Sequence, residues 1–183
     1  MGNSNMHNNH KEDIMKITTK IIVKTAAVAA IYTVFTLGLA FMSYGNIQFR
    51  VSEIMTLLAF FDPTYIGGLT LGCFLANLLG PNGLPDALIG TPATFISVIA
   101  IAITGKVTKK SKIGLLIASL WPTVFNGLII GYLLHKMFNL PLLLTILEVA
   151  AGEFTVITLV GVPIFLILLN KYNHLLTTIF KNQ

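Results

Sequence analysis

Apolar and polar positions fall in long blocks along this chain rather than alternating. Uncharged stretches cover 25–49, 63–85, 87–105 and 113–134. Each is long enough for a helix to cross a hydrocarbon core of about 30 Å. A fifth apolar run, 141–170, carries Glu148 and Glu153 inside it, and a short one, 51–61, ends at Asp62-Pro63. These blocks predict helices over 18–41, 51–61, 64–80, 87–105, 113–134 and 141–170. Lysines punctuate the blocks: Lys16, Lys20 and Lys24 before the first, Lys106, Lys109, Lys110 and Lys112 in the middle, Lys171 and Lys181 at the end. Under the positive-inside rule these ends are cytosolic.

The 51–61 segment is the anomaly. As an α-helix it rises about 16 Å, too little for an ordinary crossing. Yet an even number of crossings must separate the two lysine clusters, and only the short helix supplies the fourth. Non-helical chain must then complete its path. Such chain survives at membrane depth only where protein or a cavity covers it. The loop 44–50 is therefore expected to dip inward as a pocket wall. The expected fold is all-α and integral to the membrane: a six-helix domain over 18–172 with both termini cytosolic, a disordered polar tail over 1–17 and a second tail over 173–183.

Small residues mark packing faces. Gly68, Gly72 and Ala76 recur at four-residue spacing in the third helix, and Ala26 and Ala30 share a face of the first. The alanine face serves either internal packing or a partner. Loop 80–86, GPNGLPD, has turn chemistry, with Asp86 as either a helix cap or a ligand contact. Asp62 reads as a cap.

Composition agrees with a membrane protein: 55% of the residues are hydrophobic and only 10% charged, against about 25% charged in soluble domains. The net charge of +5 comes from lysines at the helix ends, so it points to topology and not to nucleic acid. One cysteine, Cys73, excludes an internal disulfide and reads as a small buried residue. The chain lacks a phosphate-binding GxxxxGK[ST] loop, HExxH and GxSxG, so neither ATP binding by that route nor a familiar catalytic constellation is present. No metal site or cofactor is expected, and the chain does not read as an enzyme. Active uptake would draw its energy from a partner or an ion gradient.

The candidate chemistry is the set of ionisable groups placed in the outer half or at the midplane: Arg50, Glu53, Asp86, Glu148 and Glu153. Arg50 is the only arginine. By helical rise Glu148 lies roughly 10 Å and Glu153 roughly 18 Å below the outer end, and Asn126 roughly 13 Å below its own. Glu148 and Glu153 are about 140° apart around one helix, so both cannot face one axis. Glu153, the deeper, is the better site residue, because a carboxylate there is costly unless it faces a cavity or partner. The formal sum of the five is negative, which suits a cationic or donor-rich ligand. Gln48, Asn77 and Asn126 add neutral hydrogen-bonding groups, and Tyr44, Phe49 and Trp121 offer flat surfaces to an aromatic ring. Arg50 and Glu53, three apart, either contact the ligand or pair with each other.

The runs YGNIQFRVSE and GLTLGCFLANLLGPNGLPD, with GEFTV and GVPIFL in the last helix, resemble the QueT family over about 20–170. Asn46 stands where that pattern has proline, and the IMTLLAFF stretch diverges. QueT proteins are substrate-binding (S) components of energy-coupling factor (ECF) transporters. The resemblance implies a six-helix ECF S-component fold with an outward site, and uptake of a queuosine precursor or salvage product: preQ1, queuine or preQ0. It implies as partners a transmembrane scaffold subunit, met through Ala26 and Ala30, and two ABC ATPases that bind the ATP. A 7-deazaguanine ring offers N1–H and a 2-amino group side by side, which Glu153 or Glu53 can accept. Asp86 or Glu148 can pair with a ligand ammonium, and Arg50 can donate to the ring carbonyl. The alternatives are an S component for another cationic or neutral heterocyclic vitamin, a stand-alone secondary transporter built on carboxylate protonation, and a small membrane enzyme using Glu153 or Asp86.

Overall fold

The computed structural model describes the backbone of residues 2–45 and 47–171 and the side chains of 18–45 and 47–169. Asn46 and the expected tail from 173 lie outside the described residues. The described chain is helical, with no strand. α1 (Gly2–Gly38) has backbone continuous with the polar stretch 1–17 from Gly2 onward; the side chains of that stretch are not described. α1 stops at Gly38, and a separate turn, α2 (Ala40–Ser43), follows.

α3 covers Val51–Phe61. Its first seven residues, Val51–Leu57, are 3-10 helix and its last four, Leu58–Phe61, are α-helix. A 3-10 helix rises about 2.0 Å per residue against 1.5 Å for an α-helix, so this undersized segment stretches to about 20 Å. α4 is Tyr65–Leu79. α5 opens with a π-helical turn, Asp86–Gly90, and continues through Thr91–Val107. α6 is Lys112–Phe138. α7 is Leu142–Glu153, continued through a π-helical stretch, Phe154–Gly161, into Val162–Lys171.

Four apolar segments are long enough to cross a membrane: Thr18–Gly38, Asp86–Val107, Lys112–Phe138 and Leu142–Leu169; Val51–Phe61 and Tyr65–Leu79 are shorter. The expected helices are thus present, two of them short.

The packing follows the small residues. α1 lies chiefly on α4, α5 on α6, and α6 on α7. A Cβ added at Gly68 or Gly72 would come within 3.0 Å of α1 backbone oxygens, at 2.9 Å from Thr25 O and 2.9 Å from Ala29 O. Hydrogen at those positions is what lets the two helices touch. Ala26 and Ala30 point the other way and are exposed, among Ile22, Val23, Val34 and Phe35. Internal packing therefore does not explain those two alanines.

At one end of the bundle, Lys24 of α1 bonds Asp62 Oδ2 and, at 2.6 Å, Thr64 Oγ1, and its ammonium lies 3.8 Å over the Tyr65 ring. Asp62 also accepts the Thr64 backbone N–H at 2.9 Å and so closes the α3–α4 turn, but it is not the expected side-chain cap of α4, whose N-cap is Thr64 with no side-chain cap bond. Burial disfavours its charge, but the Lys24 and Thr64 donors outweigh that and hold its carboxyl below the usual range.

Two apolar clusters leave a gap that polar residues fill. The larger includes Tyr32, Leu57, Phe60, Val98, Leu115, Ala118 and Val156. The smaller holds Ala93, Ile130, Leu134 and Val149. Thr94 of α5, Asn126 of α6 and Glu153 of α7 each fall between members of the two clusters along their own helix, and each is at most 3% exposed.

Candidate functional site

The loop between α2 and α3 reaches this level because α7 makes room for it. At Gly152 a Cβ would sit 2.4 Å from the Gln48 backbone oxygen, so only glycine lets the loop lie against α7 there. Phe49 N–H donates to Met42 O at 2.9 Å and folds the loop back on α2. Gln48 and Arg50 are then 2% and 4% exposed, so this stretch does dip into the protein.

Arg50 is held from three sides. Its Nε donates to Ser43 O at 3.2 Å, its Nη1 to Asn77 Oδ1 at 3.0 Å, and its Nη2 lies 3.6 Å from Asp86 Oδ2. The Tyr44 ring lies 5.3 Å from the guanidinium, and the Tyr44 hydroxyl donates to Ala76 O at 2.6 Å. Asn77 in turn donates to Asp86 O and to Cys73 Sγ, and Asn82 donates to Asp86 Oδ2 at 3.0 Å.

Glu53 faces the same interior from the 3-10 turn. Its Oε1 accepts from the Tyr32 hydroxyl at 2.5 Å and from Thr94 Oγ1 at 3.4 Å. Glu153 Oε1 accepts from Asn126 Nδ2 at 2.8 Å. Each of the two glutamates has one oxygen tied to a neutral donor and one, Oε2, with no hydrogen-bond partner among the described residues. Within this cluster Asp86 Oδ1, Asn126 Oδ1, Gln48 Nε2 and Arg50 Nη2 also lack a hydrogen-bond partner while fully buried. Native proteins pair nearly all such groups, so six unpaired atoms on the residues of one cluster stand out. Both π-helical stretches abut the cluster, one beginning at Asp86 and the other directly after Glu153. Such turns recur at functional sites.

The model of the QueT transporter family matches residues 22–170. The chain belongs to that family. One relative, the queuosine precursor transporter QueT of Lactococcus lactis subsp. cremoris, is 42% identical over 83 residues. That match takes in 44% of this chain and 48% of the relative, so it spans about half the relative's length. No solved structure matches the chain. Membership in a transporter family, with several long apolar helices, makes this QueT-family chain a multi-pass plasma-membrane protein and not an enzyme.

Of the residues singled out in this QueT-family sequence, the structure gathers Gln48, Arg50, Glu53, Asn77, Asp86, Asn126 and Glu153, with Tyr44 against Arg50. It does not gather the others. Glu148 is only half-buried and forms no hydrogen bond or ion pair with any of the described residues. Trp121 is directed elsewhere: its indole donates to Thr104 Oγ1 at 2.9 Å and stacks on Phe125. Phe49 packs against the larger apolar cluster. Two alternatives are corrected. Arg50 and Glu53 do not pair with each other, because the 3-10 turn points Glu53 at Tyr32 while Asn77 and Asp86 take the guanidinium. Asp86 is not an N-cap, because α5 starts at its own residue with no side-chain cap and its carboxylate turns inward to Arg50. Among the described residues no cluster of metal-ligating side chains forms.

Two members of the cluster carry no charge and were not singled out. Tyr32 was hidden in an apolar run, although a buried phenol needs a partner for its hydroxyl. Thr94 was one threonine among several in α5. Cys73 is fully buried, as its reading as a small interior residue anticipated, but it also accepts from Asn77 and reaches Thr94 at 3.3 Å.

Proposed function

We propose that this chain binds a cationic 7-deazaguanine, preQ1 before queuine and preQ0, at the Arg50–Glu53–Asp86–Glu153 cluster and is the substrate-binding subunit of an ECF importer. The observation that carries the reading is the set of unpartnered atoms. Two of them donate, Gln48 Nε2 and Arg50 Nη2, and four accept, on Glu53, Asp86, Asn126 and Glu153. PreQ1 presents the complement: O6 and N3 accept, while N1–H, the 2-amino group, N9–H and the aminomethyl ammonium donate. One of the glutamates takes the N1–H and 2-amino edge, and Arg50 takes O6. Three buried carboxylates against one arginine leave negative charge for the ammonium to neutralise. PreQ0 carries a neutral nitrile in place of the ammonium, so it offers one acceptor too many and no charge.

The six apolar helices are read as six crossings with both ends in the cytosol. The lysines at Lys24 and Lys106–Lys112 support this side, and the stretched α3 makes a fourth crossing feasible. The exposed Ala26–Ala30 face is read as the contact with the scaffold subunit, which would bring two ATPases. Ala26→Trp is expected to abolish ATP-driven uptake in vesicles while leaving ligand affinity unchanged. Equal loss of binding would return that face to internal packing.

Thermal melts of the purified chain test the substrate. PreQ1 at a hundredfold excess over Kd should stabilise it by about 2.7 kcal/mol, with a smaller gain from preQ0 and none from riboflavin or thiamine. No shift with any deazaguanine would remove the substrate assignment. Proton-driven uptake by this chain alone, without ATPases, would make it a secondary transporter instead.

A further inference from the structure

We infer that Tyr32 is a positioning residue for ligand binding: it fixes the orientation of the Glu53 carboxylate, so that one oxygen stays turned to the ligand. The inference rests on the cluster being the ligand site, and deepens that reading by bringing α1 into it. Tyr32 is fully buried, and its hydroxyl lies 2.5 Å from Glu53 Oε1. Thr94, from the opposite side of the cluster, donates to the same oxygen at 3.4 Å. Two donors on one oxygen leave Oε2 as the only acceptor Glu53 can offer, and Oε2 is one of the atoms without a protein partner. A carboxylate free to rotate about its last bond would spend part of its time with neither oxygen aimed at the ligand, and ordering it on binding would cost affinity. Tyr32 removes that freedom in advance.

The neighbouring turn of α1 braces the same arrangement. Thr36 and Ser52 hydroxyls lie 2.6 Å apart and fix the residue just before Glu53. Thr33 donates to Gly72 O at 3.1 Å and holds the α1 face against α4. Tyr32 thus stands on a helix locked by its own hydrogen bonds, which suits a residue that sets another's orientation and touches no ligand itself.

The test is a double-mutant cycle on preQ1 affinity, measured by titration calorimetry on the full chain in detergent. Wild type, Tyr32→Phe, Glu53→Gln and the double variant are compared. Tyr32→Phe is expected to raise Kd about tenfold. Added to Glu53→Gln it should raise Kd no more than twofold further, because its effect passes through the Glu53 carboxylate. Thr94→Val, which removes the longer of the two bonds, should cost about threefold and keeps the question answerable if Tyr32→Phe does not fold. Losses that multiply in the double variant would show a general packing role and overturn the inference. So would unchanged affinity in both Tyr32→Phe and Thr94→Val. Failure of the wild-type chain to bind any deazaguanine would instead remove the site reading beneath it.

Discussion

Glu153→Gln should raise the Kd for preQ1 by tenfold to a hundredfold, the range expected from losing a charge-assisted hydrogen bond worth about 1.5–3 kcal/mol. The substitution keeps the shape of the side chain and the bond to Asn126 through its oxygen. It removes the negative charge and replaces one acceptor by a donor at a depth where water does not compensate. The ligand-free protein should respond in the opposite sense. Glu153 is 3% exposed, and among the described residues its Oε2 has no hydrogen-bond partner and no cation pairs with it. Removing its charge should leave the ligand-free melting temperature equal or higher. A variant that is more stable yet binds worse is the signature of a side chain kept for its ligand. If Glu153→Gln binds preQ1 as wild type does, the ligand's donor edge is not at Glu153.

Arg50→Met should have the largest effect on the fold. Asp86 is completely buried, and Arg50 is the cation that faces it, at 3.6 Å. Breaking a buried pair from one side costs about 3–5 kcal/mol, because the remaining charge keeps its desolvation cost and loses its partner. The same substitution strips Asn77 Oδ1 and Ser43 O of their donors. In a chain of this size the melting temperature should fall by about 10 °C or more. Arg50→Met with Asp86→Asn should recover much of the loss while still binding preQ1 poorly. A melting temperature for Arg50→Met equal to that of the wild type would mean the guanidinium is not what holds Asp86.

Much of this was legible in the sequence because a membrane makes charge expensive. Arg50, Glu53, Asp86 and Glu153 stand out in apolar surroundings, and the shortness of the 51–61 segment led to the expectation of an inward 44–50 loop, which the burial of Gln48 and Arg50 matches. The glycine spacing of α4 foretold a close-packing face, though not that α1 would fill it. What stayed hidden was partner choice. Sequence distance put Arg50 beside Glu53, and Glu53 N–H does donate to Arg50 O at 2.9 Å, but their side chains part: Glu53 goes to Tyr32 and Thr94, and Arg50 to Asn77 and Asp86, far away in the chain. Glu148 and Trp121 were drawn in by depth along a helix, which is readable from rise. Which way a side chain faces around that helix depends on packing, which composition does not signal. Tyr32 and Thr94 escaped because uncharged donors are cheap to bury once paired, so they leave no contrast in the pattern.

The 3-10 geometry of Val51–Leu57 has an evolutionary consequence. With three residues per turn its side chains stack in columns: Val51, Ile54 and Leu57 form one, Ser52 and Met55 a second, and Glu53 and Thr56 a third, where Thr56 Oγ1 bonds Glu53 O at 2.6 Å. Exchanging one apolar residue for another within a column leaves the columns aligned. Inserting or deleting a single residue turns everything beyond it by about 120° and sets Glu53 out of phase with either Arg50 or the rest of α3. In sequences that share an ancestor with this chain, the apolar positions of the segment should vary, while Ser52, Glu53 and the segment's length should not.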